Sequence, residues 1–110
     1  MMLLRKTDLN NLKKNAANEN KDAIRPAVKF FNPTGAATWL ISEIMEDGDT
    51  LFGLCDMGHG TPELGYVSLT EIKTFRGRFG LGIERDRSFT ADMSLADYAD
   101  EARNAGRINA

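Results

Sequence analysis

Residues 37–57 read ATWLISEIMEDGDTLFGLCDM, two apolar runs on either side of an acidic tetrapeptide that contains a glycine. In Ala37–Met45 the spacing puts Trp39, Ile41 and Met45 on one face and Leu40 and Ile44 on the other, the pattern of a strand covered on both sides for part of its length. Glu46-Asp47-Gly48-Asp49 then reads as a hairpin turn into a second strand, Leu51–Met57.

The sequence on either side of this hairpin fills out the domain. Val28-Lys29-Phe30-Phe31 is a short extended run ended by Asn32-Pro33-Thr34-Gly35, a turn in which proline fixes φ and glycine supplies freedom. Further upstream, Leu9, Leu12 and Ala16 stand at helical spacing behind Thr7 as an N-cap. A polar linker follows and closes at Arg25-Pro26, because the residue before a proline is pushed toward extended conformations. Residues 1–25 are therefore expected to form a helix and polar linker, and residues 26–110 a single α+β domain that stays folded when residues 1–22 are removed. Downstream, Ser68-Leu69-Thr70-Glu71 is a capping box at the start of a short helix reaching Phe75. Arg76–Gly82 reads as turn and loop, and Ile83–Phe89 as extended. Ser94 with Asp97, the stripe Leu95, Tyr98, Ala99 and Ala102, and Gly106 as C-cap define a last helix. The order is helix, strand, hairpin, helix, strand, helix. It predicts a small α+β fold with a largely antiparallel sheet and flanking short helices.

Size and charge narrow the function classes. The chain has 110 residues, 42% of them hydrophobic, enough for one modest core. Its 14 basic and 16 acidic side chains leave a net charge of −2, which gives no broad positive field for holding phosphate backbones. No apolar run approaches the roughly 20 residues that span a bilayer, and the start lacks the features of a signal peptide. A single cysteine forms no intrachain disulfide, so a soluble protein of the cytoplasm is expected, with no membrane partner.

Three stretches carry reactive or charged groups. CDMGHGTPELG, residues 55–65, holds the only cysteine and the only histidine beside two carboxylates. Cys55, His59 and Asp56 or Glu63 are the residue types of a cysteine nucleophile with its base and orienting acid. The same four could reach zinc, although no paired spacing such as C-x-x-C appears. The structural alternative is a tight loop: Gly58, Gly60 and Gly65 turn the chain, Pro62 stiffens it, and Asp56 or Glu63 accepts backbone N–H bonds. That alternative is the expectation, with no catalytic residue, no metal and no cofactor.

The second stretch places Arg76, Arg78, Arg85 and Arg87 among Phe79 and Phe89, the residue types that grip a nucleic-acid strand or an acidic partner. Glu84 and Asp86 alternate with two of these arginines, which also suits ion pairs on a solvated face. Gly77, Gly80 and Gly82 do not have dinucleotide-binding spacing. The third stretch is the acidic middle of the chain, where residues 26–75 hold seven carboxylates against two lysines. Glu43, Glu46, Asp47 and Asp49 cluster at the hairpin turn, and no cation lies near them in sequence.

Several uncommon words recur in order: Thr38-Trp39-Leu40, Phe52-Gly53-Leu54-Cys55-Asp56, Pro62-Glu63-Leu64-Gly65-Tyr66-Val67-Ser68-Leu69, Ile83-Glu84-Arg85-Asp86 and Tyr98-Ala99. Together, over about Val28 to Ile108, they resemble bacterial domain-of-unknown-function family 2958. The resemblance implies an accessory role on a mobile element, plasmid or phage. In the family pattern Cys-Asp, the glycines and Pro-Glu-Leu-Gly belong together, while the place of His59 is more often apolar, which speaks against a chemical role for it.

The resulting expectation is a non-enzymatic binding module that acts by protein–protein contact, with inhibition of a host defence complex, an anti-CRISPR or anti-restriction action, suggested by the resemblance. Its partner-binding residues are then Glu43, Glu46, Asp47 and Asp49. The alternatives are a small enzyme or metal-binding protein using Cys55, Asp56, His59 and Glu63, and a nucleic-acid accessory protein using Arg76, Arg78, Arg85 and Arg87.

Overall fold

The computed structural model describes residues 3–110. Five strands, β1 Val28–Phe31, β2 Thr38–Ile44, β3 Thr50–Asp56, β4 Glu63–Ser68 and β5 Glu84–Arg85, form one sheet in the order β4-β3-β2-β1-β5. Every neighbouring pair is antiparallel. Three helices, α1 Lys6–Ala17, α2 Leu69–Thr74 and α3 Leu95–Ala105, complete an α+β fold. Among the described residues, no helix is long and apolar enough to cross a membrane.

The β2–β3 hairpin forms where expected. At its turn the Asp47 carboxylate accepts the backbone N–H groups of Asp49 and Thr50 at 2.9 and 2.8 Å, and Gly48 takes the left-handed φ of 71° that a side chain would resist. Its facing differs from simple alternation. Ile41 lies opposite Gly53 and Glu43 opposite Phe52, so β2 advances two residues where β3 advances one. Ser42 is the extra residue of a β-bulge, which turns the rest of the strand over. Ile44 therefore joins Trp39 and Ile41 on one face, opposite Leu51, instead of sharing a face with Leu40. The bulge is tied down on both sides: the Ser42 hydroxyl donates to the Phe52 carbonyl, and the Ser42 carbonyl accepts from Asn15 Nδ2 at 2.9 Å.

Each face of the sheet has its own core. Leu12 of α1 and Leu69 and Ile72 of α2 pack with Val28, Phe30, Trp39, Ile41, Ile44 and Leu51. On the opposite face Leu40 and Leu54 meet Leu95, Tyr98, Ala99 and Ala102 of α3. A fully buried leucine or isoleucine contributes roughly 1.5–3 kcal/mol, so both layers matter to stability.

The N-terminal helix belongs to this packing, with Leu12 0% exposed in the first core. It also starts earlier than the sequence suggests. Arg5, not Thr7, is the N-cap, because the buried Asp8 reaches back to accept the Arg5 backbone N–H at 2.9 Å. The serine half of each later cap forms: Ser68 Oγ accepts from the Glu71 N–H and Ser94 Oγ from the Asp97 N–H, without the reciprocal carboxylate bond that makes a capping box, and Gly106 closes α3 at φ 78°. Two strands depart from expectation. β4, between the glycine loop and α2, adds an edge strand that the sequence reading did not contain. The extended segment 83–89 shortens to the two residues of β5, because Asp86 turns the chain by accepting the Ser88 N–H.

Candidate functional site

The glycine loop is built around Asp56, the last residue of β3. It is 4% exposed, and its carboxylate accepts the Gly58 N–H at 2.8 Å and the Ile108 N–H at 2.9 Å. One side chain thus closes the turn and fastens the C-terminal segment to the end of the strand. Gly58 and Gly60 hold φ of 84° and 82°, as so sharp a turn requires.

Cys55 and Asp56 are successive strand residues, so their side chains leave opposite faces of the sheet. Cys55 packs with the α1/α2 core, while Asp56 bonds to the segment after α3. Burial pushes the Cys55 thiol up to about 11, which leaves little thiolate near neutral pH. His59 and Glu63 are exposed on the loop and on β4. The four residues do not converge, and among the described residues no three His, Cys, Asp or Glu side chains are grouped to hold a metal.

The acidic hairpin is largely engaged from within. Glu43 is buried and pairs with Lys21 at 2.9 Å. Asp47 accepts the Thr50 hydroxyl besides the two turn N–H groups, and these bonds hold its carboxyl below the usual range. Asp49 reaches across to the start of α2, where it accepts the hydroxyls of Thr70 and Ser68 and the Thr70 N–H. It too is held low, first by the Thr70 hydroxyl. Only Glu46 of the four points outward without an internal bond among the described residues.

The arginines separate into different roles. Arg85 lies inward, 3.6 Å from Asp8, with Nη1 donating to the Leu3 carbonyl at 3.0 Å. Asp8 is also gripped by Arg5. Burial raises its carboxyl, but the Arg5 bonds and the Arg5 and Arg85 charges outweigh that and leave it lowered. Arg76 donates to the carbonyls of Lys73 and Phe75 and closes the end of α2. Arg78 and Arg87 lie on the surface.

Between Arg78 and Gly80 stands Phe79, 86% exposed and in the left-handed region at φ 62°, ψ 18°. Phe75 and Leu81 are exposed on the same loop. A bulky residue in that conformation is a genuine outlier. An aromatic this far from any core also forgoes the burial that ordinarily retains it. The sequence held a weak signal here, since Phe79 falls in a glycine-punctuated run with no apolar periodicity. A second exposed pair went unseen: Leu64 and Tyr66 of β4 stand beside Phe52, with the Phe52 and Tyr66 rings 5.0 Å apart.

A family model described as Protein of unknown function (DUF2958) matches residues 3–109. The chain belongs to this family. The match takes in α1 as well as the segment from Val28, in keeping with the place of Leu12 in the core. No curated protein and no solved structure matches the chain.

Proposed function

We propose that the protein is a non-enzymatic binding module that acts by protein–protein contact, and that its contact element is the loop Phe75–Leu81 with Arg78 and Phe79 at the centre. The observation that carries this reading is Phe79: a large aromatic, 86% exposed, held in a disfavoured backbone conformation. Both features raise the free energy of the unbound chain. A partner pocket that takes the ring offsets the first, and strained residues of this kind gather at ligand clamps. Arg78 beside it, with Lys73 and Arg76 nearby in sequence, favours an acidic partner surface. The hairpin carboxylates are the weaker candidates because Glu43, Asp47 and Asp49 already have internal partners. In the mobile-element setting that the family resemblance implies, a host defence complex is the partner class to examine first.

The test is affinity capture from a bacterial host with three folded proteins. Phe79→Ser combined with Arg78→Glu should lose the partner that the wild type retains, while Glu46→Lys keeps it. The reverse ranking would return the interface to the hairpin. Salt-sensitive retention of a labelled oligonucleotide by the wild type, lost in the double variant, would replace the protein partner with nucleic acid.

A further inference from the structure

The two edges of the sheet are finished differently. β5 has two residues and is followed at once by charged residues, a short and blunted edge. β4 has six, paired to β3 without a register shift from Glu63 to Ser68. It is the outermost strand, and among the described residues no turn, loop or cap backbone hydrogen bond involves residues 63–67, while Ser68 passes into the start of α2. A row of backbone donors and acceptors therefore faces outward. Natural edges of this length are ordinarily protected by lysine, proline or a bulge, and β4 carries none of these within its span.

The side chains on β4 say what kind of strand fits. Leu64 and Tyr66 share the α3 face with Phe52 and Leu54, their partners across the ladder, and they are 38% and 66% exposed. Gly65 lies between them with open space where a Cβ would stand. When this strand meets itself antiparallel about a two-fold axis at Gly65, each Leu64 falls opposite the other copy's Tyr66, twice over. Gly65 faces Gly65 without crowding at the axis, and Glu63 faces Val67. The strand's single charge therefore meets no like charge, and its two exposed apolar residues cover each other.

We propose that two copies of this chain associate through β4 in that register, joining their sheets edge to edge. Main-chain bonds supply the pairing, and the reciprocal Leu64–Tyr66 contacts fix the register. The surface is distinct from the Phe79 loop, so the two readings stand or fall separately.

Sedimentation velocity across a micromolar-to-millimolar series of the full chain tests it. The wild type should shift from monomer to dimer as concentration rises. Leu64→Lys and Tyr66→Glu, both at exposed positions, should each raise the dissociation constant about tenfold or more, since each replaces both reciprocal apolar pairs. Mixing the two variants should restore dimerisation, because the introduced lysine of one copy then faces the introduced glutamate of the other, while an unaltered Leu64–Tyr66 pair forms on the far side of the axis. Three outcomes overturn the proposal: a wild type that stays monomeric throughout, a dimer indifferent to both substitutions, or no recovery on mixing.

Discussion

The acidic turn of the β2–β3 hairpin and the basic loop after α2 are both dense in charge, yet their side chains are disposed in opposite ways. At the turn, Asp47 and Asp49 point into hydrogen bonds with hydroxyls and backbone N–H groups, and Glu43 pairs with Lys21. On the loop, Arg76 caps a helix while Arg78 and Phe79 face solvent. Arg85, farther along, turns inward to Asp8. The number of charges on a stretch of sequence thus says little about where a partner sits. What separates an interface candidate from scaffold is whether each charge already has an internal partner.

The largest effect is expected where the inward member of the basic segment, Arg85, loses its carboxylate. Asp8→Ala removes the group that Arg5 and Arg85 share, and should cost about 3 kcal/mol in urea unfolding. A loss under about 1 kcal/mol would mean that this cluster is no more internal than an exposed ion pair.

A smaller effect is expected at the turn. Asp49→Ala strips three bonds from Ser68 and Thr70 at the start of α2, and its thermal midpoint should fall by less than that of Asp8→Ala. Acid sharpens the test. The carboxyls of Asp8, Asp47 and Asp49 are lower in the folded chain than their ordinary value. Their contribution is complete above the unfolded value, about 3.9, and is lost as pH falls below it toward the folded values. On acidification from about pH 5 to about pH 3, which brackets the ordinary carboxylate value, Asp49→Ala should therefore lose less stability than the wild type. An equal loss would show that Asp49 contributes nothing through its charge. The smallest effect belongs to the outward groups: Arg78→Glu and Glu46→Lys should each stay within about 0.5 kcal/mol of the wild type. A larger change in either would reveal an internal role for a residue placed here at the surface.

Local chemistry was legible in the sequence. The hairpin, the serine half of both caps and the Gly106 stop depend on residues within a few positions of one another, and they appear as read. Features that depend on distant partners were not. Ser42 sits in an apolar run with nothing nearby to mark it as the extra residue, and its bonds go to Phe52 and Asn15. Only one leucine of α1, Leu12, is wholly enclosed, too thin a stripe to betray a core helix. β4 exposes Leu64 and Tyr66 around a glycine, so it shows no clean buried face. The engagement of Asp49 rests on hydroxyls 19 and 21 residues away, and that separation made the hairpin look like a free acidic patch.

Asp56 has a consequence for motion. Its two oxygens clasp the glycine loop through Gly58 and, 52 residues on from the carboxylate itself, the tail through Ile108. Swinging the loop open leaves a buried carboxylate half-satisfied, and so does peeling away the tail. Opening either segment also lets water reach the carboxylate and stand in for its bond to the other, so the loop and the tail are expected to open together although they lie far apart along the chain.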